Sequence, residues 1–263
     1  MEYDTILYEK EGATALITFN RPEKRNALNE KMTNEIEAAL LDAEEDLTVK
    51  AVILTGGLKF FISGTDIEFL SGEGEELTPH RMYEMHHKTQ SVFRTLSRFP
   101  KPTIAAIAGY AFGGGLELAL CCDFRIAAEN TKIGTPEIKL GILPGAGGTQ
   151  RLSRIIGITK AKEMVLTGEA ILAEEAYQFG LLNKVVSGEE LMNEAKAFAG
   201  RFSNLPSFAV EIAKTVLDTG INLSLKDSLE LERMGFSLLY STEDQKEGLK
   251  AFLEKRAPKF RGK

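Results

Sequence analysis

Three consecutive glycines, Gly113, Gly114 and Gly115, precede Glu117 in a segment whose residue types could support catalysis. The apolar run at 103–108 is typical of a buried strand, and a helical pattern follows the glycines, so we predict strand, turn and helix. Glycines let the backbone approach a ligand and expose amides at a helix N-terminus, where negative charge is favoured. The segment predicts an oxyanion-binding amide beside a proton-transferring carboxylate. Glycines that only allow close packing, beside a solvent-exposed glutamate, fit these residues equally well.

A second carboxylate, Glu137, lies in an apolar, glycine-rich segment at 134–151. Such surroundings disfavour a charged carboxylate unless it is hydrogen-bonded, so we expect a pKa raised toward the range useful for an acid. The alternative interpretation is a surface glutamate before a turn.

The flanking patterns predict the elements that position these groups. Apolar runs predict strands, Met32, Ile36 and Leu40 recur at helical spacing, and Thr78-Pro79 predicts the start of a helix that reaches about Ser97. The predicted strands are 13–20, 51–54, 103–108, 123–128 and 132–133. From about residue 159 the pattern is mostly helical. We therefore predict an α/β body, arranged as a repeating spiral, followed by a helical C-terminal module.

Two connecting loops have distinctive charges. The basic segment 20–26 is either a solvated loop or a phosphate contact, and the acidic, glycine-rich segment 71–77 is predicted to be mobile.

Composition excludes several classes of function. The net charge of −6 argues against broad binding of nucleic acid or anionic membranes, and the sequence shows neither a membrane-span-length apolar run nor a signal-peptide pattern. The two cysteines, Cys121 and Cys122, are adjacent and are expected to be small core residues in a reducing compartment, so we expect a cytoplasmic protein.

Familiar catalytic motifs are missing from the sequence. No G-x-G-x-x-G opens the central helix, no glycine loop ends in Gly-Lys-Ser/Thr, and Ser63 is not in a Gly-x-Ser-x-Gly elbow. The histidines, His80, His86 and His87, lack a matching carboxylate motif, so no metal site is predicted. The two glutamates and the backbone amides are the remaining candidates.

These residues together resemble the crotonase superfamily, and within it the enoyl-CoA hydratases. The resemblance extends through nearly the whole chain, in ordered motifs at 20–22, 26–29, 63–67, 113–117, 136–138, 143–151 and 243–248. It implies a spiral of repeated ββα units over 1–200 and a C-terminal helical region over 201–263 that mediates homotrimers, usually paired as homohexamers.

The resemblance also implies a mechanism. The substrate would be a coenzyme A thioester, with no separate cofactor, and the amides of Thr65 and Gly114 would form the oxyanion hole. Glu117 would activate the water that adds to C3 of a trans-2-enoyl-CoA, Glu137 would protonate C2, and the Gly145 amide would help to hold the water.

Further residues are implied to contact the substrate. Ser63, Thr65 and Ile67 would line the adenine site, within a motif that includes Asp66. Lys24 or Arg25 would approach the phosphates, and the acyl tail would run toward Leu70 and the helix at 78–97, under the acidic loop. Phe252 and Lys255 would reach the coenzyme A of a neighbouring subunit.

Two positions depart from the family pattern: Glu68 stands where a basic residue is common, and Thr135 where glutamine commonly precedes Pro-Glu. A Δ3-Δ2-enoyl-CoA isomerase, a dehydratase for a specialised acyl group, and a non-catalytic acyl-CoA or RNA-binding scaffold are the alternative functions.

Overall fold

A six-stranded sheet forms the centre of the computed structural model, which describes residues 3–72 and 77–262. Its strands are β1 (Ile6–Glu11), β2 (Thr14–Phe19), β3 (Ala51–Thr55), β4 (Thr103–Ile107), β6 (Phe124–Ala128) and β9 (Lys184–Val186). They follow one another in this order across the sheet, with β1 and β2 antiparallel and the other neighbours parallel.

Both faces of this sheet are covered, so every residue of the central strands β3 and β4 is buried. Side chains alternate between the faces of a strand. In β3, Val52 and Leu54 belong to the larger core cluster, whereas Ala51 and Ile53 pack in a second cluster with helix α9 (Leu191–Gly200). This double burial explains the continuous apolar runs that predicted the strands.

A second, smaller sheet is formed by short extended segments that follow strands of the large sheet. It contains β5 (Tyr110–Phe112), β7 (Lys132–Gly134) and β8 (Ile171–Leu172), and a bridge between Ile62 and Ala111 extends it. Each repeat therefore places one strand in the large sheet, a second extended piece in the small sheet, and then a helical segment. The predicted spiral of ββα units is confirmed.

The remaining helices pack around the sheets or continue the chain beyond them. They are α1 (Glu30–Glu45), α2 (Ile67–Leu70), α3 (Pro79–Thr89), α4 (Ser91–Ser97), α5 (Gly114–Cys121), α6 (Gly148–Ile156), α7 (Ile158–Thr167), α8 (Ala173–Gln178), α10 (Ser207–Gly220), α11 (Leu225–Leu239) and α12 (Glu243–Leu253), with 3-10 helices at Pro22–Lys24 and Pro136–Leu140.

One predicted helix is divided in the structure. The sequence pattern predicts a single helix over 78–97, but α3 and α4 are separate and meet at Gln90. The Thr89 hydroxyl donates to the carbonyls of Met85 and His86, so it competes for acceptors in the last turn of α3. The predicted mobile loop at 71–77 includes residues 73–76, which lie outside the described residues.

Helix α5 is buried from end to end. At its C-terminus the buried Arg125 guanidinium donates to the carbonyl oxygens of Ala119 and Cys122, and the Ala119 carbonyl also accepts from the Cys122 amide. Cys121 and Cys122 are free and buried, as predicted.

The C-terminal helices differ from the core. None of the residues described in α10 and α11 is buried, and large apolar side chains on them are exposed, including Leu217 and Met234. The boundary at 201 stays a prediction. None of the helices in the described part of the chain is long and apolar enough to cross a membrane.

The contact between α5 and the segment near Ile62 generates a first prediction. A Cβ added at Gly115 would lie 2.6 Å from both Cβ and the carbonyl oxygen of Ile62, so Gly115→Ala requires backbone displacement. We expect it to lower the free energy of unfolding by about 1 to 3 kcal/mol, measured by urea denaturation.

Gly200→Ala is the matched control, because Gly200 is also helical but has open space around it. It should be neutral or stabilising by up to about 1 kcal/mol. Equal stability of the Gly115→Ala variant and the wild type would contradict the close packing.

Candidate active site

The start of α5 is built by a turn that requires glycine. Gly113 has φ +51° and ψ −124°, a conformation that residues with a side chain rarely adopt. A Cβ at Gly113 would also lie 2.7 Å from Glu137 Oε1. Glycine therefore lets β5 turn directly into α5 while the Glu137 carboxyl group packs against the backbone.

Two backbone amides meet at this turn. A Cβ added at Gly114 would lie 2.9 Å from Thr65 Oγ1 and 3.7 Å from the Thr65 amide nitrogen, so the two residues are in contact. Within 3–72 and 77–262, neither the Thr65 nor the Gly114 amide donates to a protein acceptor. Two free donors side by side are the arrangement that stabilises a carbonyl oxygen as it gains negative charge.

Glu117 is buried one turn into α5, with 3% of its surface exposed. Its Oε1 accepts hydrogen bonds from the amides of Ala146 and Gly148, each at 2.7 Å. Burial raises its pKa from 4.5 to about 7, and the nearby Glu137 adds to the increase, while the two amides and Arg151 oppose it. The carboxyl group can therefore exchange a proton near neutral pH.

Glu137 lies in the 3-10 helix Pro136–Leu140, and its surroundings differ from those of Glu117. Its Oε2 is buried and has no hydrogen-bond partner among the residues that the structure describes. Burial raises the pKa of Glu137, in the direction expected from the sequence. The preceding Thr135 is buried, and its hydroxyl donates to the Met164 carbonyl at 3.4 Å rather than to Glu137.

Both carboxyl groups line one cavity of 510 Å³. Ser63, Thr65, Ile67, Leu70 and Gly145 line it too, so most of the predicted site residues come together. Apolar side chains form much of the remaining wall: Leu28, Phe69, Met82, Phe93, Leu140, Ile142 and Leu143.

The sequence analysis expected the segment at 78–97 and Gly145 near the substrate, but it did not name the individual side chains and amides that contribute. Met82 and His86 of α3, and Gln90 at its C-terminus, are spaced four residues apart and all line the cavity, so helical periodicity was the available signal. Ala146 and Gly148 act through their amides, which leave no signature in residue type.

Asp66 has a structural position that the prediction of coenzyme A binding did not anticipate. It is buried, its carboxylate accepts from the Glu68 amide at the start of α2, and it pairs with Arg21 at 3.1 Å. These contacts fix the loop that carries the Thr65 amide.

The four predicted basic or C-terminal contacts lie outside the cavity lining. Lys24 is exposed and pairs with Glu68 at 3.0 Å, and the exposed Arg25 accepts a hydrogen bond from the Ser63 amide through its carbonyl. Phe252 is 81% exposed, and Lys255 is also exposed.

Comparison with known proteins decides the family. The enoyl-CoA hydratase/isomerase family model matches residues 9–263. The chain belongs to this family. The crotonase resemblance is thereby confirmed.

Similar proteins extend this assignment to activity. The chain is 44% identical over 261 residues to a crotonyl-CoA hydratase of Syntrophomonas wolfei, covering 99% of each chain. It is 43% identical to a short-chain-enoyl-CoA hydratase of Clostridium acetobutylicum, covering 97% of each. An enoyl-CoA hydratase subunit from Geobacillus kaustophilus has a similar solved structure, with a TM-score of 0.94, 40% identity and full coverage of both chains. The predicted enzyme class, an enoyl-CoA hydratase and hydro-lyase, is confirmed.

Burial of Glu117 generates a second prediction, about stability. Because its folded pKa is raised, the folded state favours the protonated carboxyl, so stability falls as pH rises from 4.5 through about 7. Glu117→Gln resembles the protonated form. We expect this variant to be more stable than wild type at pH 8, by about 1 to 3 kcal/mol, with little difference near pH 5.

Thermal unfolding across this pH range measures the effect. The exposed Glu129→Gln serves as control and should follow wild type at each pH. A Glu117→Gln advantage that does not grow with pH would contradict the raised pKa.

Proposed function

We propose that this enzyme adds water, in the syn sense, across the double bond of a short-chain trans-2-enoyl-CoA to give the (3S)-3-hydroxyacyl-CoA, reversibly. One observation carries this proposal: Glu117, Glu137 and Thr65 line the same cavity, and the unpaired amide of Thr65 lies next to the unpaired amide of Gly114. The names of the two bacterial relatives support a short acyl group.

The amides of Thr65 and Gly114 would donate hydrogen bonds to the thioester carbonyl oxygen and polarise the conjugated system. Electron density then moves from C3 toward that oxygen, so C3 becomes electrophilic. The positive end of the α5 dipole adds to the same stabilisation.

Proton transfer would divide between the glutamates. Ionised Glu117 removes a proton from the water whose oxygen bonds to C3, and protonated Glu137 delivers a proton to C2 as the enolate collapses. The Glu137 Oε2 atom is buried without a partner among the described residues, and burial raises the pKa of this carboxyl group against a hydrogen bond from its own backbone amide; both support the role of proton carrier. The amide of Gly145, on the same cavity wall, would help to hold the water.

Substrate binding would use the surrounding loop. Ser63, Thr65 and Ile67 would contact adenine mainly through the backbone, with Asp66 holding the loop, and Leu70 would contact the acyl group. Lys24 or Arg25 would approach the phosphates. No separate cofactor takes part in this scheme, because coenzyme A belongs to the substrate.

We also propose a homotrimer, or a homohexamer of two trimers, in the cytoplasm. Exposed apolar side chains on α10, α11 and α12 support association, since burying them is favourable. Phe252 and Lys255 would then reach the coenzyme A of a neighbouring subunit, which accounts for their distance from the cavity of their own chain. Two free cysteines suit a reducing compartment.

Crotonyl-CoA provides the direct test. We expect wild type to remove the absorbance of the conjugated thioester, and Glu117→Gln and Glu137→Gln each to lower kcat by about 10²- to 10⁴-fold, because each loses one proton-transfer group. Glu129→Gln is the control for a glutamate outside the cavity and should retain wild-type activity.

Wild-type protein that leaves crotonyl-CoA unchanged would contradict the proposal. If such protein instead converts a 3-enoyl-CoA to the conjugated isomer, the isomerase alternative replaces it.

A further inference from the structure

The peptide unit between Gly145 and Ala146 connects Gln90, at the junction of α3 and α4, to Glu117. Its carbonyl oxygen accepts a hydrogen bond from Gln90 Nε2 at 2.7 Å, and its N–H donates to Glu117 Oε1 at 2.7 Å. In a trans peptide these two groups point in opposite directions within one plane. Gln90 on one side therefore sets the direction of the N–H on the other.

The local backbone does little to hold this plane. Gly145 has no Cβ, and one could not be accommodated, because it would lie 2.6 Å from His86 Nε2. Glycine permits the peptide to rotate. A rotated peptide would present its carbonyl oxygen to the Glu117 carboxylate, where two acceptors would repel each other.

The neighbouring peptides are held by other groups. The Gly147 carbonyl accepts from the amides of Gln150 and Arg151 in the first turn of α6, and the Gly148 amide then reaches Glu117. The Ala146 carbonyl accepts from Arg151 Nη1 at 2.9 Å. Within the described residues, Gln90 is the group that holds the Gly145 carbonyl.

We propose that Gln90 is a positioning residue, which fixes the Gly145–Ala146 peptide so that the Ala146 amide stays directed at Glu117. This role rests on the proposed hydration, in which Glu117 acts as base. A hydrogen bond to its carbonyl also makes a peptide N–H a better donor, so Gln90 strengthens the contact as well as directing it.

The consequence should be visible in the pH dependence of activity. The Ala146 hydrogen bond lowers the pKa of Glu117 against the effect of burial, so losing it should raise that pKa and reduce the ionised fraction at neutral pH. The other titratable or charged groups around Glu117 are Glu137, Arg151 on α6, Cys121 on α5 and His86 on α3. All of them remain in a Gln90 variant.

Gln90→Met tests the proposal, because methionine has a similar length but no N–H donor. We expect kcat/KM for crotonyl-CoA at pH 7 to fall about three- to tenfold, the loss expected for one hydrogen bond. The acidic limb of the pH profile should move to higher pH. At pH values above this limb, the difference in kcat/KM between the variant and the wild type should become smaller.

Two further variants make the result specific. Gln90→Lys keeps a donor of similar reach, so its acidic limb should stay at the wild-type position or move to lower pH. His87→Met changes an exposed residue on the same helix and should reproduce the wild-type profile.

Two results for Gln90→Met would overturn the proposal: a pH profile that is reduced equally at every pH with its acidic limb unmoved, or a higher KM with no other change. Either result would indicate that Gln90 only forms part of the wall of the acyl cavity. A folded Gln90→Lys variant with its limb at higher pH would overturn it too, even if Gln90→Met failed to fold. The wild-type rate tests hydration itself, so a failure of the proposed function is distinguishable from a failure of this inference.

Discussion

The active site depends on one close approach of backbone to backbone, where α5 starts against the extended segment at 62–65. Gly115 lies against Ile62, and Gly114 against Thr65, at distances that leave no room for a Cβ. This contact brings together amides from two separate repeats of the spiral. It also directs α5 so that Glu117, one turn later, faces the same cavity.

Burying two carboxyl groups in one cavity is unfavourable for folding, and the structure treats them differently. Glu117 is compensated by two backbone amides and by Arg151, which keep ionisation accessible near neutral pH. Glu137 Oε2 has no such partner in the described structure. Both residues are glutamates, so their different hydrogen bonding is what suits Glu117 to accept a proton and Glu137 to donate one.

Local pattern predicted β2, β3, β4, β6, β7 and the glycine turn, and it marked both glutamates as candidates, because each leaves a signature in residue type or spacing. It did not predict β1, β5 or β8. The break at Gln90 was not predictable, since the apolar spacing continues through it. The hydrogen-bond donors to Glu117 could not be predicted either, because Ala146 and Gly148 contribute backbone amides, which every residue except proline possesses.

Contacts between distant segments explain the remaining differences. Asp66 occurs in a motif that implied substrate binding, yet its carboxylate holds its own loop through Arg21 and the Glu68 amide. Lys24 and Glu68 are far apart in sequence, so their ion pair appears only when the fold brings the two loops together. Motif resemblance indicates which segment matters, whereas tertiary contacts determine what each side chain does.

The paired amides are tested most directly by infrared spectroscopy of butyryl-CoA, ¹³C-labelled at the thioester carbonyl and bound to the enzyme. Donation from Thr65 and Gly114 predicts a carbonyl stretch at lower frequency than in water. Replacing the Gly114 amide by an ester removes one N–H donor without adding a Cβ at this close contact, and should reverse part of the shift. A bound wild-type carbonyl with the same frequency as in water would contradict the account.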